Sequence, residues 1–137
     1  MKAVNQVCSF EQAEQLKALG VNQLSLFYWI NDAPPAVIFC PKHIDNPDTF
    51  SAYTSADLSM MLPENCEFRR VNPERVINDV DFKTAFLGSH DDGDGACRNI
   101  IGPSEAIVKT DLLLYLIDKG YLSIEEINDR LKEADAL

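Results

Sequence analysis

Residues 104–120, SEAIVKTDLLLYLIDKG, constrain the fold more than any other stretch. Pro103 and Ser104 open a helix and Gly120 is placed to end it. Between them Val108, Leu112, Leu113, Tyr115, Leu116 and Ile117 make a wide apolar face. Such a face must be covered, so this is the expected core helix, with a β-sheet as its natural partner. The run is too short and too polar to cross a bilayer, which takes roughly 20 consecutive apolar residues. At 137 residues the chain has room for one adequate core and not for two, so a single domain over 1–137 is expected.

The remaining elements follow from local signals. Ser9 and Gln12 form a capping box ahead of FEQAEQLKAL, and Gly20 suits the left-handed turn that would end that N-terminal helix. VNQLSLFYWIN, the turn cluster at 32–35 and AVIFC predict a β-hairpin. Its first strand is apolar on both faces, with Leu24, Leu26, Tyr28 and Ile30 on one side and Phe27 and Trp29 on the other. Residues 41–53 are expected to be a connecting loop, and 55–62 a short helix capped by Thr54 or Ser55 and ended by Pro63. CEFRRVN, DFKTAFLG and ACRNIIG supply three more strands. Ser123 and Glu126 form another capping box ahead of a charged C-terminal helix within 123–137. Its stripe of Ile124, Ile127, Leu131 and Ala134 is narrow, and the short link from Gly120 predicts that it folds back along the long helix. The expected class is therefore α+β: an antiparallel sheet of about five strands packed against the long helix, flanked by N-terminal and C-terminal helices.

Charge removes several functions. The chain carries 12 basic and 22 acidic residues, a net −10. Five basic and eight acidic residues fall in 1–70, seven and fourteen in 71–137, so the halves carry −3 and −7. Such a surface repels phosphate backbones and anionic lipid, and direct nucleic-acid binding and membrane binding are not expected. The N-terminal MKAVNQVCSFEQAEQ turns polar where a signal peptide needs its apolar segment, which points to a cytoplasmic protein. Cys8, Cys40, Cys66 and Cys97 lie far apart and are expected as reduced, buried thiols.

The stretch SHDDGDGACR, 89–98, has the composition of a metal loop. The calcium-loop pattern fails in both registers: Gly95 at its sixth position puts His90 first and Ile101 twelfth, and Gly93 puts Gly88 first and Asn99 twelfth. Asp-Gly repeats between β-like runs are instead the chemistry of a hairpin tip. A zinc site from Cys40, His43, His90 and Cys97 lacks conventional spacing. No metal and no cofactor is expected. There is no nucleophile elbow and no glycine-rich phosphate loop, so no catalytic residue is assigned.

Three blocks, LKALGVNQLSLFYWIN (16–31), SAYTSADLSMMLP (51–63) and SEAIVKTDLLLYLIDKGYL (104–122), resemble segments of small uncharacterised proteins encoded by phages and prophage-like elements of gut bacteria. The likeness covers about a third of the chain. It implies an architecture and a genomic setting, and carries over no catalytic or binding residue. The chain departs from that pattern in lacking a tryptophan in the strand before the final hairpin and in adding a charged helix after Leu122.

The expected function is a non-enzymatic protein-interaction or accessory protein of a mobile element, a monomer or weak homodimer, whose partner is another protein. The two-faced aromatic strand motivates this: with one sheet face under helices, Phe27 and Trp29, with Phe39, need cover on the other, from a partner or from residues 41–53 through Phe50 and Tyr53. A second reading is an acidic mimic that blocks a basic nucleic-acid-binding protein, using the i, i+4 ridge of Glu125, Asp129 and Glu133 beside the acids of 91–94. A third is a small hydrolase that uses Cys40 with His43 or His90.

Overall fold

A computed structural model describes residues 6–40, 46–71, 85–91 and 97–135. These residues form four helices, α1 (Phe10–Leu19), α2 (Ser55–Met61), α3 (Glu105–Asp118) and α4 (Ile124–Asp135). They also form six strands, β1 (Phe27–Ile30), β2 (Ala36–Phe39), β3 (Thr49–Ser51), β4 (Cys66–Val71), β5 (Ala85–Asp91) and β6 (Cys97–Gly102). The class is α+β, as expected, but the strands make two antiparallel sheets of three, ordered β2-β1-β3 and β4-β5-β6. The expectation of one five-stranded sheet is thereby corrected. The strand it missed is β3, inside the segment read as a loop. Three residues, Thr-Phe-Ser, are too few to display an alternating pattern, and two of them are polar although all pair with β1.

Helix boundaries follow the sequence closely. Ser9 Oγ accepts from Gln12 N and Gln12 Oε1 accepts from Ser9 N, closing the capping box of α1, while Gly20 ends it at φ 97°. Thr54 and Asp57 make the same reciprocal pair at α2. Ser104 caps α3, and Ser123 Oγ accepts from Glu126 N at the start of α4.

Helices α1 and α3 lie between the sheets. α1 packs on β3 and on α3, and α3 packs on β5 and β6, so the order is first sheet, α1, α3, second sheet. Gln12 Nε2 joins the two helices by donating to Ile107 O at 3.0 Å and Asp111 Oδ1 at 2.7 Å. One contiguous apolar cluster runs from Val7 through Leu16, Trp29, Tyr53, Leu58, Leu112, Leu113 and Leu116 to Ile127 and Leu131. Glycines set the spacing of α3 on the second sheet: a Cβ on Gly88 would stand 2.7 Å from Val108 Cγ1, and one on Gly102 would stand 2.9 Å from Val108 Cγ2.

The C-terminal helix docks within the chain, burying Ile127 and Leu131. Its partner is not the long helix but α2 and the turn after α1. Arg130 donates to Met61 O at 2.9 Å, and Asn128 bridges the turn by donating to Gly20 O and accepting from Asn22 N. The narrow stripe therefore fits a single neighbour, and that neighbour is α2.

Candidate functional site

Among the described residues strand β2 is an outer edge of the first sheet, paired with β1 on one side only. Its sequence, Ala-Val-Ile-Phe, holds no charge, and Pro34, Pro35 and Pro41 bracket it. Native edge strands usually protect themselves with lysines or other charges, and here the prolines serve that role by limiting any added strand to about four residues. Alternation along β2 places Val37 and Phe39 on one face with Trp29 and Phe27, and Ala36 and Ile38 on the other with Ile30 and Tyr28. Both faces are apolar and open at this edge. Phe39 is 63% exposed and Ile38 36%, and Leu26, whose carbonyl accepts from Cys40 N, is 54% exposed. Phe39 meets Phe27 edge-on, ring centres 5.6 Å apart, so its ring is held in place while most of it faces solvent.

The three aromatic residues expected to form the binding surface divide. Phe39 is open and Phe27 half-buried beneath it, whereas Trp29 is 6% exposed and belongs to the core. Its cover is α1: Phe10 stands edge-on to Trp29 at 5.9 Å and to Phe50 at 5.5 Å, and Trp29 Nε1 donates to Cys8 O at 2.9 Å. Within 41–53, Phe50 contributes to that cover, while Tyr53 is buried with its hydroxyl donating to Asn22 O. Trp29 is the chain's single tryptophan and reports on this arrangement without ambiguity. In the folded monomer its emission is expected to be blue-shifted and its acrylamide quenching several-fold weaker than in the urea-unfolded chain. Equal quenching in both states would place the indole on the surface.

The acidic residues expected as a ridge, Glu125, Asp129 and Glu133, all lie exposed on α4, opposite the docked Ile127 and Leu131. Of the acids of 91–94 that this ridge was expected to join, Asp91 ends β5 in the second sheet, and Asp92 and Asp94 lie outside the described residues. The hairpin expected around 89–98 is bracketed by paired strands, with Asp91 opposite Cys97, and its tip at 92–96 also lies outside the described residues.

For the Cys-His reading, the structure describes Cys40 and His90 in different sheets. Cys40 follows β2 in the first sheet, whereas His90 is on β5 in the second, directly opposite Cys66. His43 lies outside the described residues. The buried His90 ring has Nε2 3.1 Å from Asn65 Nδ2 and packs on Tyr121 at 5.6 Å. Burial pushes the Cys66 thiol up to about 11 and the Cys8 thiol up to about 12, so neither supplies thiolate near neutrality. Among the described residues no group of three or more His, Cys, Asp or Glu side chains could hold a metal ion. No described helix is long and apolar enough to cross a membrane.

Leu26, just before β1, and Ile38 of β2 are exposed and were not among the residues expected to form the binding surface. Their apolar character is visible in the sequence, but which flank of β1 carries a third strand is not. No family model, curated protein or solved structure matches the chain.

Proposed function

We propose that this protein is a non-enzymatic protein-binding module that takes an extended segment of its partner alongside β2. One observation carries this reading: apolar side chains stand exposed on both faces of the same edge strand. A helix laid on the sheet would cover one face only. An added strand covers both, pairs with the outward backbone groups of β2, and reads alternate side chains. The partner segment should be apolar at alternate positions and should carry Lys or Arg at its ends, because the chain's charge of −10 attracts basic flanks and repels acidic ones. Its contact is short, so the complex is of the weak, exchanging kind.

Selection from a random peptide library tests this. Enriched peptides are expected to alternate apolar residues between basic ends, to shift the amide resonances of 36–40, and to bind more weakly as salt rises. Phe39→Lys should weaken them by about tenfold or more, since burial of such a side chain contributes about 1.5–3 kcal/mol. Phe39 is mostly exposed, so the variant should keep its thermal midpoint. Peptides whose binding survives both Phe39→Lys and Ile38→Lys would overturn the proposal. So would a concentration-dependent dimer of the wild type abolished by Phe39→Lys, which would make the occupant a second copy.

A further inference from the structure

Among the described elements α3 is the helix that packs on the second sheet, and the other face of that sheet has no described cover. Gly88 and Phe68 face α3, so alternation turns Glu67 and Arg69 of β4, Leu87 and Ser89 of β5, and Asn99 and Ile101 of β6 the other way. Register sets them in two rows, Glu67-Ser89-Asn99 and Arg69-Leu87-Ile101. A groove of about 540 Å³ opens on this sheet, lined by Glu67, Phe68, Arg69, Leu87, Ser89 and Asn99, within the size range of small-molecule sites, roughly 300–1,000 Å³. Leu87 and Ile101 are half-buried and give the face an apolar floor, Ser89 and Asn99 add hydrogen-bonding groups, and Glu67 and Arg69 stand exposed at the rim.

The charges at the rim point to a ligand class. Glu67 and Arg69 are two residues apart on one strand face, about 6.6 Å between Cα atoms, yet they form no ion pair with each other. Neither makes a side-chain hydrogen bond or ion pair to another described residue. We infer that this groove binds a zwitterion, an α-amino acid with an apolar side chain. The guanidinium of Arg69 takes the ligand carboxylate in a planar, two-pronged contact, which this group's fixed fork favours. The carboxylate of Glu67 takes the ligand ammonium. The aliphatic side chain lies on Leu87, between the two charged contacts and the Ser89-Asn99 end. A ligand with one charge satisfies one rim residue and leaves the other unpaired beside an apolar floor, so both charges are needed for full affinity. The groove and the β2 edge belong to different sheets, and neither proposal depends on the other.

Titration of free leucine into isotope-labelled full-length protein tests the inference. Saturable shifts are expected at the amides of 67–69, 87–89 and 99. Arg69→Gln and Glu67→Gln should each weaken binding by about tenfold, as should replacing leucine by 4-methylpentanoate or by isoamylamine, each of which keeps one charge. Both substituted side chains are exposed, so thermal midpoints should not move and lost binding is not lost folding. No saturation up to on the order of 10 mM leucine would overturn the site. Equal binding by either single-charge analogue, or binding unchanged in both variants, would overturn the zwitterion assignment.

Discussion

Leu113→Ala and Leu116→Ala are each expected to lower the unfolding free energy by about 2–5 kcal/mol, through lost burial and the cavity left behind. Both side chains are fully buried on α3, which is in contact with α1, α2 and the second sheet at once. A neighbour therefore cannot close the void from one side without drawing away from another, which favours the upper part of that range. Against a total stability of about 5–15 kcal/mol for a domain of this size, either change removes a large fraction. Urea unfolding followed by Trp29 fluorescence measures it, with the midpoint falling and the slope unchanged. Losses under about 1 kcal/mol at both positions would show that α3 is peripheral.

The same helix shows where the sequence is informative and where it is silent. Its ends are written in Ser104 and Gly120, and its apolar face in the spacing of Val108, Leu112, Leu113 and Leu116. Lys109 interrupts that apolar spacing, yet it is buried. Its Nζ donates to Ser55 Oγ at 2.7 Å and Ser59 Oγ at 2.6 Å, and pairs with Glu105 Oε1 at 2.9 Å, over the ring of Phe68. Every proton of the ammonium is used, and this makes its burial tolerable. Nothing in a helical spacing says that two serines from a helix 50 residues earlier will be waiting.

Long-range choices elsewhere are hidden for the same reason. The aromatic strand states that it needs cover on both faces, but whether α1, a loop or a partner supplies it depends on tertiary packing. The structure gives Trp29 to α1 and leaves Phe39 open. The division into two sheets is likewise absent from local pattern, because every strand segment reads as antiparallel in either arrangement. Of the candidate site, the aromatic character was legible; the identity of the free edge was not.

Removal of residues 123–137 is expected to leave a monomer destabilised by about 3–6 kcal/mol, from losing two side chains that contribute about 1.5–3 kcal/mol each when fully buried. Ile127 and Leu131 are those side chains, and they pack into the same apolar cluster as Leu58 and Met61 of α2. The loss extends past the helix, because Asn128 also holds the turn after α1 through Gly20 O and Asn22 N. That turn leads to Gln23, whose side chain accepts from Ser51 N and donates to the Tyr53 hydroxyl, so loosening it reaches β3 and the core behind it. The truncated chain should sit close to the folding threshold, with a lower urea midpoint and faster amide exchange in α2 and 20–23. Ile127→Ala in the full chain should reproduce about half of the effect without shortening the helix. Size-exclusion chromatography with light scattering separates the alternatives: a dimer in the full chain that truncation abolishes would make the stripe a seam between two copies. A truncated product as stable as the parent would mean that α4 contributes nothing to its own domain. An isolated helix of this length is marginal in water, and Glu125, Asp129 and Glu133 repel one another along its exposed side, so in the intact protein its order must come from the α2 contact.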